Sequence, residues 1–346
     1  MLHQGAVGAI VSLSMSPLRK IKNDCARALC NLAAEPGMEE DLVRLGATGA
    51  LLAVSTSSIQ LMEVVLMALL NLSCVDERYS RIDEVNDAVL HLSTFSMNVR
   101  MEKMLVSCIC NLTALKNNQA RLVEEGVVRL LTRISRLAPL ATQRLCATSF
   151  CNLSSCSRSR GKMTDQRVVP TLLDMVKIKP SGHGGQGGHA SDPAIKRQCA
   201  ITVSRLAQDV TCREKVVQQG AVAAIVEMCM KRSVDANGNA EDIETDRVCA
   251  AALNMLSLDG ESSDRLIAEG AVPALLQLIA THDPLVCQDC AHCLCVLFQH
   301  EAGIDEMIDN GAVDALVALA DPTNDATSGN CALALYNLLS HEEASR

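Results

Sequence analysis

The sequence predicts an all-α chain of stacked helical units, and three observations point there. First, a short motif recurs, as "ALCNLA" (28–33), "ALLNLS" (68–73), "ICNLTA" (109–114), "FCNLSS" (150–155) and "ALYNLL" (334–339). Aligned on its Asn, the equivalent places are Asn31, Asn71, Asn111, Asn152, Arg205, Met255, Val296 and Asn337, spaced by 40, 40, 41, 53, 50, 41 and 41 residues. A period of that size marks a supersecondary unit that buries its apolar face only by stacking on copies of itself. Second, Gly46, Gly126, Gly220, Gly270 and Gly311 each stand 15 residues after the Asn place, between two apolar stretches, where a glycine permits a sharp helix-to-helix turn. Third, 49% of the residues are hydrophobic but only 1% aromatic, with no Trp, so the core must be built from Leu, Val, Ala, Met and Cys, a mix that favours helices.

The seventh unit shows the elements of one repeat. "SSDRLIAEG" predicts a short first helix closed by Gly270, "AVPALLQLIA" a second with Pro273 in its first turn, and "DPLVCQDCAHCLCVLF" a longer third helix. Pro17, Pro139, Pro193, Pro284 and Pro322 fall at or near the start of the third helix, where a missing N–H costs nothing. On this register the chain is a single solenoid of units 1–34, 35–74, 75–114, 115–155, 156–208, 209–258, 259–299 and 300–346. Two junctions depart from the pattern: Arg167 takes the Gly place of one, and "RIDEVNDAVLHL" near Glu84 is shifted. The longer spacings come from polar insertions between second and third helices, 179–193 and 232–245, which read as flexible loops. "MLHQG" reads as the tail of a first helix and "SHEEASR" as the start of another, so both ends are expected to cut a repeat.

Other function classes find little support. A net charge of −9 argues against general nucleic-acid binding. The N-terminus lacks the basic start and apolar block of a signal peptide, and no apolar run is long enough to span a bilayer, so a cytoplasmic or nuclear location is expected. Asn71-Leu72-Ser73, Asn111-Leu112-Thr113 and Asn152-Leu153-Ser154 match the N-glycosylation pattern, but the repeat explains all three as architecture. The 17 cysteines are expected to be thiols. Cys25, Cys146, Cys199, Cys249, Cys290 and Cys331 stand six places before the Asn place, and Cys30, Cys110, Cys151 and Cys295 one before it, as small core residues do. Cys287, Cys290, Cys293 and Cys295 imitate a metal box, yet two of them occupy these core places, and His183 and His189 lie in a Gly-rich stretch without a ligand set. No metal, cofactor or small-molecule substrate is expected. No nucleophile motif, nucleotide loop or carboxylate pair suggests an enzyme.

Junctions reading "GAVGAIVSL", "GAVAAIVEM", "GAVPALLQL" and "GAVDALVAL", with the Asn-Leu endings of the third helices, resemble the armadillo repeat family. The resemblance implies a right-handed superhelical α-solenoid of about eight armadillo repeats. It also implies a non-catalytic scaffold, whose third helices line a concave groove and whose Asn side chains hydrogen-bond the backbone of an extended partner peptide. The residues at those places are Asn31, Asn71, Asn111, Asn152 and Asn337. The family's nuclear-import adaptors carry Trp four places before the Asn; here that place holds Arg27, Met67, Ser107, Ala147, Ile201, Ala251, His292 and Leu333. Arg27, Lys103, Arg144, Arg197 and Arg247 share the face of the Asn ladder and Arg205 takes an Asn place, a basic stripe that resembles the groove of catenin-type members and fits an acidic or phosphorylated segment. The alternatives are a nuclear-transport-type adaptor and a membrane-tethered or cytoskeletal (ciliary) scaffold.

Overall fold

A computed structural model describes residues 3–55, 58–75, 81–177, 192–230, 242–300, 304–320 and 324–344. The described residues are α-helical, with no strand among them. They fall into two compact units, Met1–Cys156 and Ser157–Arg346, so the boundary lies at the end of the fourth predicted repeat.

In the first unit, α1 (His3–Leu13) and α2 (Arg19–Ala33) form the first repeat, and α3 (Glu39–Arg44), α4 (Ala47–Ser55) and α5 (Ile59–Leu72) the second. The third holds α6 (Ile82–Leu92) and α7 (Val99–Ala114), and the fourth α8 (Gln119–Glu124), α9 (Val127–Ser135) and α10 (Leu140–Ser154). In the second unit the repeats are α11 (Ser157–Asp165), α12 (Val168–Val176) and α13 (Pro193–Gln208); α14 (Val210–Gln218), α15 (Ala221–Met230) and α16 (Ile243–Ser257); α17 (Ser263–Ala268), α18 (Ala271–Ile279) and α19 (Pro284–Leu297); and α20 (Ile304–Asp309), α21 (Ala312–Leu319) and α22 (Asp325–Ala344).

Within each unit the long third helices pack in sequence, α2 on α5, α5 on α7 and α7 on α10, then α13 on α16, α16 on α19 and α19 on α22. The Leu, Ala and Cys of the repeat motif form the seam. Leu29, Leu69, Ile109 and Phe150, two places before the Asn, are buried, and so are Leu72, Leu112 and Leu153 after it. Leu32, at that place in the first repeat, is only half-buried. All six cysteines six places before the Asn are buried, and every described cysteine is a free thiol. Burial pushes the Cys108, Cys146 and Cys293 thiols up to about 12, so they pack as small apolar groups rather than react as thiolates.

The glycine landmark has a plain conformational cause. Gly270 lies at φ 87°, and a Cβ there would meet Val226 Cγ1 at an ordinary 3.7 Å, so the left-handed backbone rather than crowding demands glycine. Arg167 adopts the same turn at φ 58° without that freedom. The shifted third junction is different in kind, because α6 runs straight through it. Asn86, at the Gly place, is fully buried and exchanges two hydrogen bonds with Asn118, Nδ2 to Oδ1 at 2.6 Å and the reverse at 3.0 Å.

Three local expectations change. Gly5 sits inside α1 rather than at a turn, because its backbone is not left-handed. "SHEEASR", expected to open a new first helix, instead prolongs α22 as far as Ala344, with no helix-breaking Pro or Gly after Gly329 to stop it. Ile243 begins α16 behind an Asp242 cap, so the end of the second insertion is helix; the rest of that insertion, most of the first and Pro322 lie outside the described residues.

Candidate partner-binding face

The candidate site lies on the exposed face of the third helices. What places its residues in register is a feature the sequence reading missed, a side-chain helix cap 13 residues before six of the eight Asn places; Leu18 and Pro139 take that position in the first and fourth repeats and make no such bond. Ser58 accepts from the Leu61 N–H at 3.2 Å, Asn98 from Met101 at 2.9 Å, Asp192 from Ile195 at 3.2 Å, Asp242 from Thr245 at 3.2 Å, Asp283 from Leu285 and Val286 at 3.2 Å, and Asn324 from Thr327 at 3.2 Å. Each side chain satisfies N–H groups that have no partner inside the helix. The Asp-Pro pairs at 192–193 and 283–284, cap then first helical residue, were the visible signal.

The asparagines stand near the ends of these helices, Asn31 exposed and Asn71, Asn111, Asn152 and Asn337 half-buried. Three of them use an amide N–H inside the chain. Asn111 Nδ2 donates to Ser73 Oγ at 2.9 Å, Asn152 Nδ2 to Thr113 Oγ1 at 3.3 Å, and Asn337 Nδ2 to the Cys295 carbonyl at 3.4 Å. The acceptor each time belongs to the preceding third helix or, for Ser73, its C-terminal cap, and in the first two cases it is the hydroxyl two places after that repeat's own Asn. Asn71 has no such hydroxyl to meet, since Ala33 occupies the place. The amides therefore tie repeats together: Asn111 Nδ2, which also reaches Cys74 Sγ at 3.3 Å, keeps only Oδ1 for a partner, while Asn152 keeps Oδ1 and one N–H.

The basic residues divide. Arg197 Nη2 meets Asp242 Oδ1 at 2.9 Å. Arg247 forks onto Asp283, Nη2 to Oδ2 at 2.7 Å and Nε to Oδ1 at 3.2 Å, and also reaches Glu244 at 2.6 Å. Hydrogen bonding from Arg247 pulls the Asp283 carboxyl below its usual range. Both arginines stand eight places before the Asn place and grip the cap of the next third helix. In these two repeats the expected basic stripe is neutralised by its own chain, which sequence reading could not see because the carboxylates are 36 and 45 residues away. Glu63, eight places before its Asn place, meets Arg100, two residues past the next cap, at 2.7 Å, an inter-repeat pair with the charges exchanged. Arg27 and Lys103 are exposed and make no ion pair among the described residues; Arg144 is exposed, and Arg205 is half-buried in α13.

In the second unit the ladder gives way to another arrangement. Asn254, one place before Met255, is buried, donates from Nδ2 to Asp289 Oδ1 at 2.8 Å and faces His292 Nδ1 with its Oδ1 at 2.7 Å. With Nδ2 turned to the carboxylate, Oδ1 must accept, so Nδ1 of His292 carries a proton. Its neighbours at the Asn places are Met255 and Val296, apolar and half-buried.

Among the described residues no group of three His, Cys, Asp or Glu side chains is placed to hold a metal ion, and no helix is long and apolar enough to cross a membrane. No protein-family model matches the sequence, and no curated protein matches it. Solved structures do resemble it. An engineered protein matches with a TM-score of 0.66 at 20% identity, over 96% of this chain and 78% of that one. A designed armadillo repeat protein matches with a TM-score of 0.55 at 16% identity, over 72% of this chain and 99% of its own. A second designed armadillo repeat protein, solved in complex with the peptide (KR)4, matches with a TM-score of 0.56 at 15% identity, again over 72% and 99%. With stacked third helices, left-handed glycine junctions and likenesses that cover most of its length, this chain has the fold of the armadillo-repeat solenoids.

Proposed function

We propose that the chain is a non-catalytic scaffold that holds an extended, acidic or phosphorylated segment of a partner protein along the third helices of its first unit. The observation that carries this reading is the coincidence, in that unit alone, of four consecutive Asn places, Asn31, Asn71, Asn111 and Asn152, with Arg27 and Lys103 exposed on the same helices. An amide pairs with a peptide unit whatever side chain that unit carries, so a row of amides holds backbone while the cations select charge. The designed armadillo protein in complex with (KR)4 holds a basic peptide; the exposed cations here favour the opposite sign. Arg197 and Arg247 drop out of the partner-binding set because the chain already neutralises them, and Asn337 belongs to the other unit.

The test is fluorescence anisotropy with an Asp/Glu-rich peptide, its phosphoserine counterpart and a Lys/Arg-rich control. The acidic peptides should bind more tightly than the basic one, and R27E/K103E should weaken them about tenfold or more, with a shallower salt dependence. N71A should weaken both acidic peptides alike, since it removes an amide that no described residue uses. Tighter binding of the basic peptide, or indifference to R27E/K103E, would overturn the reading.

A further inference from the structure

A second surface of the first unit gathers exposed apolar side chains. Ile59, Val99 and Leu140 stand at the first residue of α5, α7 and α10, the same register in three successive repeats, and are 68%, 57% and 50% exposed. Leu18, just before α2, is 60% exposed, and Leu137, in the loop before α10, is 95% exposed. With Leu13 and Met15 these are all the large exposed apolar residues of the unit's described part except Met67. Contacts fix their alignment: Arg100 in the first turn of α7 pairs with Glu63 of α5, and Arg133 at the end of α9 donates to the Ser93 carbonyl after α6 at 3.1 Å. The apolar tips therefore form a row along the edge where second helices hand over to third.

The charge of this edge leans to the positive. Segments 12–20, 92–100 and 133–141 contain Arg19, Lys20, Arg100, Arg133 and Arg136 and no acidic residue, in a chain of net charge −9; Arg100 is already paired with Glu63 and, like Arg197 and Arg247, does not count toward the partner-facing charge. The strip is narrow, because Asp24, Glu63 and Glu102 follow within two turns along the same helices. Packed helices lie about 8–10 Å apart, and an α-helix rising 1.5 Å per residue covers about 10 Å in seven residues.

We infer that this edge docks an acidic amphipathic helix of a partner protein, lying across the starts of the third helices with one apolar residue per heptad on each tip and its carboxylates against the flanking arginines and lysines. A narrow basic-apolar row fits a helix of that chemistry better than a flat lipid surface, over which the nearby carboxylates would also be drawn in. Its apolar row lies at the starts of the third helices, 12 places before the Asn row at their ends.

The probe is a hydrocarbon-stapled helical peptide of about 28 residues, enough for four heptads, with Leu at heptad positions and Glu on the flanks. Its controls are the same peptide with Lys for Glu, and phosphatidylserine vesicles. The acidic peptide should bind, and the Lys version should bind about tenfold or more weakly. I59S/V99S/L137S/L140S should lose about tenfold or more in affinity with unchanged circular dichroism and melting, because these side chains support no core. N71A, 12 places along α5 from Ile59, should leave this binding unchanged, which separates it from the groove. Equal binding of both peptides, indifference to the fourfold variant, or vesicle binding that the fourfold variant abolishes while the acidic peptide does not bind, would overturn the inference.

Discussion

Single residues show where the repeat pattern is a physical requirement and where it is a habit. The left-handed turn between first and second helices is a requirement, met by glycine at φ 83° to 92° in five junctions and by Arg167 at φ 58° in a sixth. Arg167 is exposed, so little beyond its backbone conformation holds it there. Arg167→Gly should therefore raise stability by about 1 kcal/mol, the cost of a non-glycine residue in this region, read as a shift of the denaturation midpoint at unchanged m-value; a lower midpoint would mean that the side chain makes contacts worth more than the strain. The Asn of the motif is closer to a habit with two uses. Its position was legible in the sequence because it recurs at a fixed period. Its bond was not: whether Asn111 meets Ser73 or Asn71 faces Ala33 depends on the residue two places past the preceding Asn, a pairing that only stacking creates.

At the scale of the helix, the most informative element is the start of each third helix, where cap, ion pair and neighbour meet. Sequence reading found the Pro residues and the periodicity but missed the caps at Ser58, Asn98, Asp192, Asp242, Asp283 and Asn324, although their spacing from the Asn place is constant. It also read Arg197 and Arg247 as part of a partner-binding basic stripe, because a long-range carboxylate partner leaves no local trace. Asp283 joins both roles, since it caps α19 and takes the Arg247 fork. Asp283→Asn keeps a capping oxygen and removes the charge, so the two roles separate by pH. The native carboxyl is held below its usual range by Arg247. Its ion-pair stabilisation is then fully present above the unfolded-state value, about 3.9 for Asp, and lost as pH falls through the lower native value. Wild type should exceed D283N in stability at neutral pH, with the gap closing in acid; a gap unchanged down to the acid limit would assign the effect to the cap instead.

On the scale of the whole molecule, stability should follow neighbours rather than a central core. Seams of buried Leu, Ala and Cys run between successive third helices, and the ties beyond them are equally local: Asn111 to Ser73, Asn152 to Thr113, Asn86 to Asn118 and Arg100 to Glu63 each link adjacent repeats. In such an array each repeat draws its stability from itself and the two interfaces it shares, and about three repeats suffice for a stable stack. The first compact unit, Met1–Cys156, holds four. Its Asn ladder, its exposed cations and its basic-apolar edge all lie inside those limits, and so do the partners of every tie just named. Residues 1–156 expressed alone should therefore give a helical circular dichroism spectrum, a cooperative melt, and the same affinities for the acidic extended peptide and the stapled helix as the full chain. A fragment that folds but binds neither would move both recognition surfaces to the full array. A fragment without a cooperative melt would mean that nearest-neighbour packing within four repeats is too weak to hold them, and that stability is shared over a longer stretch of the solenoid than its local ties suggest.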